Sequence, residues 1–296
     1  MSRPSACFTL LLAIAAGLLG GCGPRKASHP PVKDLSYDSS GHERQKLDLQ
    51  LPGNPKGAPV VLWVHGGGWV AGNKDNPPIG FLKQRGYVVA SMNYRYSTQA
   101  PFPAQLEDAK SAVRWLRAHA AQYGYDGHRI AVWGHSAGGT IVEMLGVSAA
   151  HHNFDRGDNL DTSSEVQAVV GMSGPTNFVP MIRHAIANGD ARNPKAIIQV
   201  VGRLLGCPVE ESERYAPAAS PTSYVSVAAA PTLLIHGGRD ELVPVEQSQE
   251  LHDLLQAAGA KCELLIIPEA DHGGVFDRNT LNQAADFTDR ALGVHR

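Results

Sequence analysis

The stretch RIAVWGHSAGGTIVEMLGV, residues 129–147, contains the pattern that determines the fold. A short apolar run leads into a serine flanked by glycines, and a helical pattern follows. Gly134-His135-Ser136-Ala137-Gly138 fits the G-x-S-x-G motif, in which a serine occupies a tight turn between a strand and a helix. The turn places the serine at a helix N-terminus, where free N–H groups favour developing negative charge. Ser136 is therefore a candidate nucleophile.

A second glycine-rich motif, HGGGW at residues 65–69, follows the apolar run APVVLW at 58–63. In a shuffled chain of this composition G-x-S-x-G arises roughly one time in five and HGGG about one time in seventy, so the pair is far more specific than either motif alone. Glycines leave backbone N–H groups accessible to an oxyanion, and such donors contribute strongly to acyl transfer. The predicted donors are the amides of Gly67, Gly68 and Ala137.

Strand-like and helix-like segments alternate from residue 46 onward. The continuous apolar runs are typical of strands buried on both faces of a parallel sheet. They are PVVLWV (59–64), YVVASM (87–92), RIAVW (129–133), VQAVVGM (166–172), PTLLIH (231–236) and CELLIIP (262–268), with LDLQL (47–51) alternating as an edge strand. Helical patterns lie between them, which predicts an α/β fold with a mostly parallel central sheet and helices on both faces. Residues of about 176–227 break this rhythm and predict a helical, cap-like insertion.

A serine needs an imidazole base and a carboxylate that orients it. The G-x-S-x-G motif resembles that of the α/β-hydrolases, and this resemblance implies the chain order Ser, then Asp or Glu, then His. Asp240 follows the strand PTLLIH and His272 follows the strand CELLIIP, so both should lie at the carboxyl edge of the sheet. Glu241 is the best substitute for Asp240, whereas Asp271 is too close in sequence to orient the ring of His272.

Other conspicuous side chains have less specific interpretations. His65 and His236 end predicted strands before glycines and are expected to brace loops, and His135 is expected to pack or hydrogen-bond locally. Trp69 could line an acyl pocket or belong to the core. The pair His151-His152 lies in a polar stretch without the spacing of a metal motif, so a solvated loop is the better interpretation.

Composition sets limits on the function. The chain has 296 residues, of which 43% are hydrophobic and 18% charged, and its formal net charge is −2. It contains no block of five like charges, which argues against a nucleic-acid partner. This length and hydrophobic content favour one large domain.

The N-terminus predicts export. The apolar stretch FTLLLAIAAGLL (8–19) has the length of a signal peptide, and LGGC (19–22) resembles the lipobox of bacterial lipoproteins. By that resemblance residues 1–21 are a signal peptide, Cys22 is acylated, 22–39 form a flexible tether and 40–296 form the folded domain, at the bacterial cell envelope. A plain secretory signal is the alternative. Of the remaining cysteines, Cys207 and Cys262 could pair or remain two isolated thiols.

Several ordered motifs resemble the α/β-hydrolase superfamily, nearest to bacterial feruloyl-esterase-like and hormone-sensitive-lipase-like esterases. They are HGGGW, NYRYS (93–97), GHSAGG (134–139), ASPTSYV (219–225), HGGRDELVPVEQS (236–248) and ADHGG (270–274), and together they span about residues 40–295. The resemblance implies hydrolysis of carboxylic esters through an acyl-enzyme, without a metal or an organic cofactor. Many relatives carry an aspartate where this chain has Asn93, which puts any salt bridge from that position in doubt. Gly274 stands where relatives often place an aromatic residue, so the pocket shape beside His272 should differ.

The favoured hypothesis is therefore an esterase for small or medium acyl esters, including acetylated or feruloylated saccharides. A peptidase, lactonase or formamidase would use the same three side chains. A non-catalytic binding lipoprotein of the same fold is the alternative from another class. The sequence does not determine the oligomeric state.

Overall fold

The computed structural model describes residues 29–188 and 194–295, in which eight strands form one sheet. The strands are β1 (Val32–Ser36), β2 (Lys46–Gln50), β3 (Val60–Val64), β4 (Val88–Met92), β5 (Ile130–His135), β6 (Ala168–Met172), β7 (Thr232–Gly237) and β8 (Cys262–Ile267). Their order is β1-β2-β4-β3-β5-β6-β7-β8. The two pairings that involve β2 are antiparallel, and the pairings from β4 to β8 are parallel.

The helices follow the strands in the predicted alternation. They are α1 (Ala104–Ala118), α2 (Ala120–Tyr123), α3 (Ala137–Val147), α4 (Phe178–Asn188), α5 (Pro194–Leu205), α6 (Val209–Ala219), α7 (Glu246–Ala257) and α8 (Arg278–Ala291). Short 3-10 turns cover Gly80–Lys83, His152–Phe154, Pro221–Tyr224 and Gly274–Phe276. The fold class predicted from the sequence is confirmed.

Both faces of the sheet are covered, which explains the continuous apolar runs. Every residue of β3, β4 and β6 is buried. Alternate side chains of β3 enter different cores: Leu62 packs with residues of α1 and α3, whereas Trp63 packs on the side of α8. A strand that is buried on both faces loses the polar alternation of an edge strand, as observed.

Strand β1 corrects the predicted tether. Residues 22–39 were expected to be flexible, but Val32–Ser36 pair with β2 as an antiparallel edge strand. The edge is held by Lys74, whose ammonium group lies 2.9 Å from Asp34 and 2.8 Å from Asp48. These contacts join positions far apart in the chain, so a short polar segment gave no sign of them. Residues 22–28 lie outside the described residues.

The insertion predicted at about 176–227 contains α4, α5 and α6, which pack on one another. It is tied to the body of the protein where the Phe102 amide donates to the Leu204 carbonyl at 2.7 Å. Cys207 and Cys262, the two cysteines in the described ranges, are free thiols. Within the same ranges, no helix has the length and apolar character required to cross a bilayer.

Helix α3 carries a carboxyl group inside the core. Glu143 is 1% exposed, and neither of its carboxyl oxygens has a hydrogen-bond partner among the described residues. The missing side chain of Gly171 on β6 leaves the space that this carboxyl occupies, since a Cβ there would overlap Oε1. Burial raises the pKa of Glu143 to about 8. The group is therefore neutral in the folded protein at pH 7.

We expect Glu143 to make the stability depend on pH. Its pKa is raised from 4.5 to about 8, so between these values the folded state binds more protons than the unfolded state. Stability therefore falls as the pH rises through this window, by up to about 1.4 kcal/mol per pH unit, and levels off above it. Glu143→Gln removes this contribution. Urea unfolding at about pH 5 and about pH 9 should show the variant gaining a few kcal/mol on the wild type at the higher pH. Parallel pH profiles for the two proteins would contradict the expectation.

Candidate active site

Ser136 occupies the turn between β5 and α3 in a strained conformation. Its φ of 56° and ψ of −123° lie in a region that residues with a Cβ rarely adopt. The turn is held by the Ser136 amide, which donates to the Met172 carbonyl at 2.8 Å, and by the Ser136 carbonyl, which accepts from Thr140 at 3.1 Å. The backbone on both sides therefore determines where the hydroxyl points.

The flanking glycines allow the helix to approach the sheet. A Cβ on Gly138 would overlap the carbonyl oxygen of Val64 on β3, and one on Gly134 would overlap the carbonyl oxygen of Gly138. A side chain at either position would push α3 away from the strand ends. The close approach carries Ser136 to the carboxyl edge of the sheet.

The structure brings the three predicted side chains together from three separate loops. His272 Nε2 lies 2.9 Å from the Oγ of Ser136, and His272 Nδ1 lies 2.7 Å from Oδ2 of Asp240. Because a carboxylate can only accept, Nδ1 carries the proton and donates to Asp240. Nε2 is then free to accept from the Ser136 hydroxyl, which is the arrangement that a general base requires.

The surroundings of Asp240 stabilise its deprotonated carboxylate. The amides of Leu242 and Val243 both donate to its Oδ1 at 2.9 Å. Burial acts to raise the pKa of Asp240, but hydrogen bonds from His236 and His272 and from the Val243 amide outweigh it and hold the pKa well below its ordinary value. The carboxylate therefore stays charged beside the imidazole.

Asp271 and Glu241 carry the other two carboxylates considered for orienting His272. The carboxylate of Asp271 accepts from the Gly273 and Gly274 amides at 3.0 and 2.8 Å and so closes the turn after His272. Glu241 is exposed, and the carboxylate that contacts His272 is that of its neighbour Asp240.

Two buried histidines support the site. His236 is fully buried, with Nδ1 2.6 Å from the Ser248 hydroxyl and Nε2 2.9 Å from the Val243 carbonyl. It braces the loop that carries Asp240, as expected. His135 donates from Nε2 to the His272 carbonyl at 2.8 Å, and burial lowers the pKa of His135 to about 4. Its neutral ring fixes the backbone of the loop that carries the base.

The glycine loop lies directly against Ser136. A Cβ on Gly66 would be 3.2 Å from that of Ser136, a closeness that sequence reasoning did not anticipate. Gly67 has a φ of 117°, and its carbonyl accepts from the amides of Val70 and Ala71 in a tight turn. Backbone of this shape favours glycine because side chains clash in it.

The three predicted oxyanion donors belong to the two segments that flank Ser136. Gly67 and Gly68 lie in the glycine loop, and Ala137 is the first residue of α3, where amides have no acceptor within the helix. In the described parts of the chain, none of these three amides donates to a backbone acceptor outside the helices and strands. Their role as oxyanion donors stays a prediction.

Arg44 braces the glycine loop from outside, and sequence reasoning missed it. Its guanidinium group donates to the Tyr94 and Gly72 carbonyls at 2.8 and 3.1 Å and lies 3.5 Å from the centre of the Tyr96 ring. His65 stacks on Tyr94 at 4.4 Å, and burial lowers the pKa of His65 to about 4. The NYRYS motif was the available sign that this corner is structured.

Asn93 stands where many relatives carry an aspartate, but Arg95 of the NYRYS motif still forms a salt bridge. Arg95 forms its salt bridge with Asp108 on α1 at 2.8 Å. The Oδ1 of Asn93 instead accepts from the Lys74 amide at 2.7 Å. The ion pair therefore does not depend on a carboxylate at position 93.

An apolar cavity of about 220 Å³ opens beside Ser136. Its lining comes from the glycine loop, from α4 and α5 and from the loop after β7, and includes Trp69, Phe178, Met181, Val200, Val201 and Leu242. A larger polar cleft of about 660 Å³ near Asp38 and Arg95 contains none of the three triad residues. The sequence did not decide whether Trp69 lines a pocket or belongs to the core. Its side chain lines this cavity, and the residue is only 4% exposed.

The described ranges hold no cluster of His, Cys, Asp and Glu side chains arranged for a metal ion. At the surface, Nδ1 of His152 instead lies within hydrogen-bonding distance of Oδ2 of Asp155, at 3.0 Å.

Comparisons with known proteins agree with this geometry. The BD-FAE family matches residues 47–255. The chain is 30% identical over 231 residues to the probable carboxylic ester hydrolase LipM of Mycobacterium tuberculosis, covering 75% of this chain and 51% of that protein. It is also 30% identical over 262 residues to the isoprenylcysteine alpha-carbonyl methylesterase ICME of Arabidopsis thaliana, covering 85% of this chain and 60% of that one. The chain thus spans about half to three-fifths of the length of these two relatives.

One solved structure aligns with this chain over almost the whole length of both proteins. The truncated form of a carbohydrate esterase from gut microbiota superposes with a TM-score of 0.79 at 29% identity, covering 90% of this chain and 98% of that one. The sheet order, the turn that carries Ser136 and the family match over more than half of the sequence lead to one conclusion. The chain is an α/β-hydrolase and belongs to the BD-FAE family.

Proposed function

We propose that this protein is a serine esterase that hydrolyses carboxylic esters through an acyl-enzyme. The observation that carries the proposal is the line of hydrogen bonds from Ser136 through His272 to Asp240, at 2.9 and 2.7 Å. The relatives, which include a probable carboxylic ester hydrolase and a carbohydrate esterase, support ester hydrolysis.

Acylation follows from the protonation states at the site. Ser136 Oγ attacks the ester carbonyl while its proton passes to His272 Nε2, and the carbonyl oxygen becomes an oxyanion that accepts from the amides of Gly67, Gly68 and Ala137. The imidazolium is stabilised by the Asp240 carboxylate. The proton then passes from Nε2 to the alkoxide as the C–O bond to the alcohol breaks, which leaves the acyl group on Ser136.

Deacylation repeats these steps with water as the nucleophile. Water gives a proton to His272 Nε2 and attacks the acyl carbonyl, and the second oxyanion collapses to release the carboxylic acid. Ser136 recovers its proton from His272. The three side chains, the substrate and one water molecule account for every proton and charge, so the proposed mechanism needs no metal ion or organic cofactor.

The proposed substrates are esters of small to medium acyl groups, including acetylated or feruloylated saccharides. Sugar esters are favoured by the similarity to the carbohydrate esterase. A non-catalytic binding role is less consistent with the site, because the nucleophile, base and acid are all in place at hydrogen-bonding distance.

Export and anchoring belong to the same proposal. Cys22 lies outside the described residues, and the support is the resemblance of LGGC at 19–22 to a lipobox after an apolar stretch. Acyl chains on Cys22 would hold the enzyme at the bacterial cell envelope, since two or more chains anchor a protein stably.

We expect Ser136→Ala to lower kcat for p-nitrophenyl acetate by about a million-fold, because the nucleophile is lost while the amides remain. The wild type should also be labelled by a phosphonate ester at residue 136, and the variant should not. Circular dichroism serves as the folding control. Substantial turnover by the folded variant would exclude Ser136 as the nucleophile.

Asp240→Asn should lower kcat by about ten-thousand-fold, because an amide at this position no longer fixes the tautomer and charge of His272. The matched control is Glu241→Gln, which removes the neighbouring carboxylate and should leave kcat close to that of the wild type. Steady-state kinetics on p-nitrophenyl acetate measure both. A larger loss in the control than in Asp240→Asn would transfer the orienting role to Glu241.

Cys22→Ser should release the protein from the membrane fraction of an expressing bacterium, because the acylated thiol is lost. Cys7→Ser, within the predicted signal, should leave the protein in that fraction. Immunoblots of fractionated cells and intact mass of the purified chain provide the readout. Unchanged membrane association of Cys22→Ser, without an acyl mass on the wild type, would exclude the anchor.

A further inference from the structure

The cavity beside Ser136 has a defined position relative to the proposed reaction. Its lining includes Gly68 and Trp69 of the glycine loop, whereas His272 takes no part in it. His272 delivers the proton to the leaving oxygen, so the alcohol must lie on the imidazole side. The cavity therefore lies on the side of the acyl group.

The described lining of this cavity is chemically uniform. Apart from Ser136 it consists of glycine, proline and apolar side chains. Among the described lining side chains, a phenolic hydroxyl group buried there would find only the Trp69 indole N–H and the Ser136 hydroxyl as hydrogen-bonding groups and no acceptor dedicated to its proton, which is costly. An aliphatic chain meets no such penalty.

Trp69 separates this cavity from a second one. A small internal cavity of about 10 Å³ lies behind it and is lined by Trp69, Phe102, Leu106, Ile141, Met144 and Leu204, among others. Trp69 lines both cavities. Its ring meets that of Phe178 edge-on at 5.7 Å, and its carbonyl accepts from the Ser97 amide at 2.8 Å. The Trp69 ring thus packs on Phe178 while its backbone is held by Ser97.

We propose that the cavity binds a straight aliphatic acyl chain of medium length and that Trp69 is the wall that limits this length. The inference rests on the proposed esterase function. An apolar cavity of about 150 Å³ accommodates benzene, so 220 Å³ accommodates a chain of roughly six to eight carbons. Longer chains meet the indole, and shorter chains leave apolar surface uncovered.

The test compares kcat/KM across p-nitrophenyl acetate, butanoate, hexanoate, octanoate and dodecanoate. For the wild type, each methylene group that enters the cavity should raise kcat/KM by up to roughly fourfold, with a fall at dodecanoate. Trp69→Leu joins the two cavities and should raise the ratio of dodecanoate to butanoate by about tenfold or more. Methyl ferulate should be hydrolysed well below methyl hexanoate, which has the same leaving group, and this result would narrow the proposed substrates to esters of aliphatic acids.

A second variant acts in the opposite direction. Val200 is half-buried, and its Cγ1 lies 3.5 Å from the Cβ position of Gly68. Val200→Phe should shorten the cavity and lower the ratio of octanoate to acetate by about tenfold. This variant decides the matter if Trp69→Leu does not fold.

Trp115→Leu is the matched control, because Trp115 is 7% exposed on α1 and lines neither cavity. Its chain-length ratios should equal those of the wild type. Unchanged ratios in folded Trp69→Leu, or in Val200→Phe, would overturn the inference while leaving the esterase intact. A wild type without activity on any ester and without phosphonate labelling at Ser136 would overturn the esterase proposal instead.

Discussion

The contact between Gly138 and the carbonyl oxygen of Val64 is the constraint on which the rest of the site depends. Hydrogen in place of a side chain lets α3 begin against the end of β3. This close approach lets Ser136 hold its strained φ of 56° at the carboxyl edge of the sheet, where the loops after β7 and β8 begin. Strain of this kind costs about 1–3 kcal/mol and persists because the hydrogen bonds to Met172 and Thr140 and the buried strand β5 hold the turn.

Two neutral histidines, His135 at the end of β5 and His65 directly after β3, flank the strand ends that carry the site. His135 and His65 have pKa values lowered by burial to about 4, so neither adds a positive charge beside His272. Asp240 meanwhile receives two amides and two imidazoles. A transient positive charge on His272 would therefore face a fixed anion and no competing cation from these rings, which is favourable in a poorly solvated site.

The features that the sequence predicted are those written in local patterns. Ser136 and the glycine loop follow directly from strand ends, and His272 follows from chain order. Arg44 was missed because its contacts to Gly72 and Tyr94 join distant positions. One feature of the sequence could have indicated that Glu143 is buried. The rest of α3 carries no charged residue on any side, and a helix of this kind must be buried. Its pocket depends on Gly171 in another strand, which no local pattern reveals.

The two sides of the proposed reaction differ in their surroundings. On the acyl side, helices of the insertion enclose an apolar cavity that ends at Trp69. On the other side, the His272 side chain is 20% exposed and Gly273 and Gly274 are open to solvent. A leaving alcohol would thus meet water and backbone, where polar groups such as sugar hydroxyls stay hydrated at little cost. Selection should therefore act on the acyl group through shape, while a broad range of alcohols is accepted.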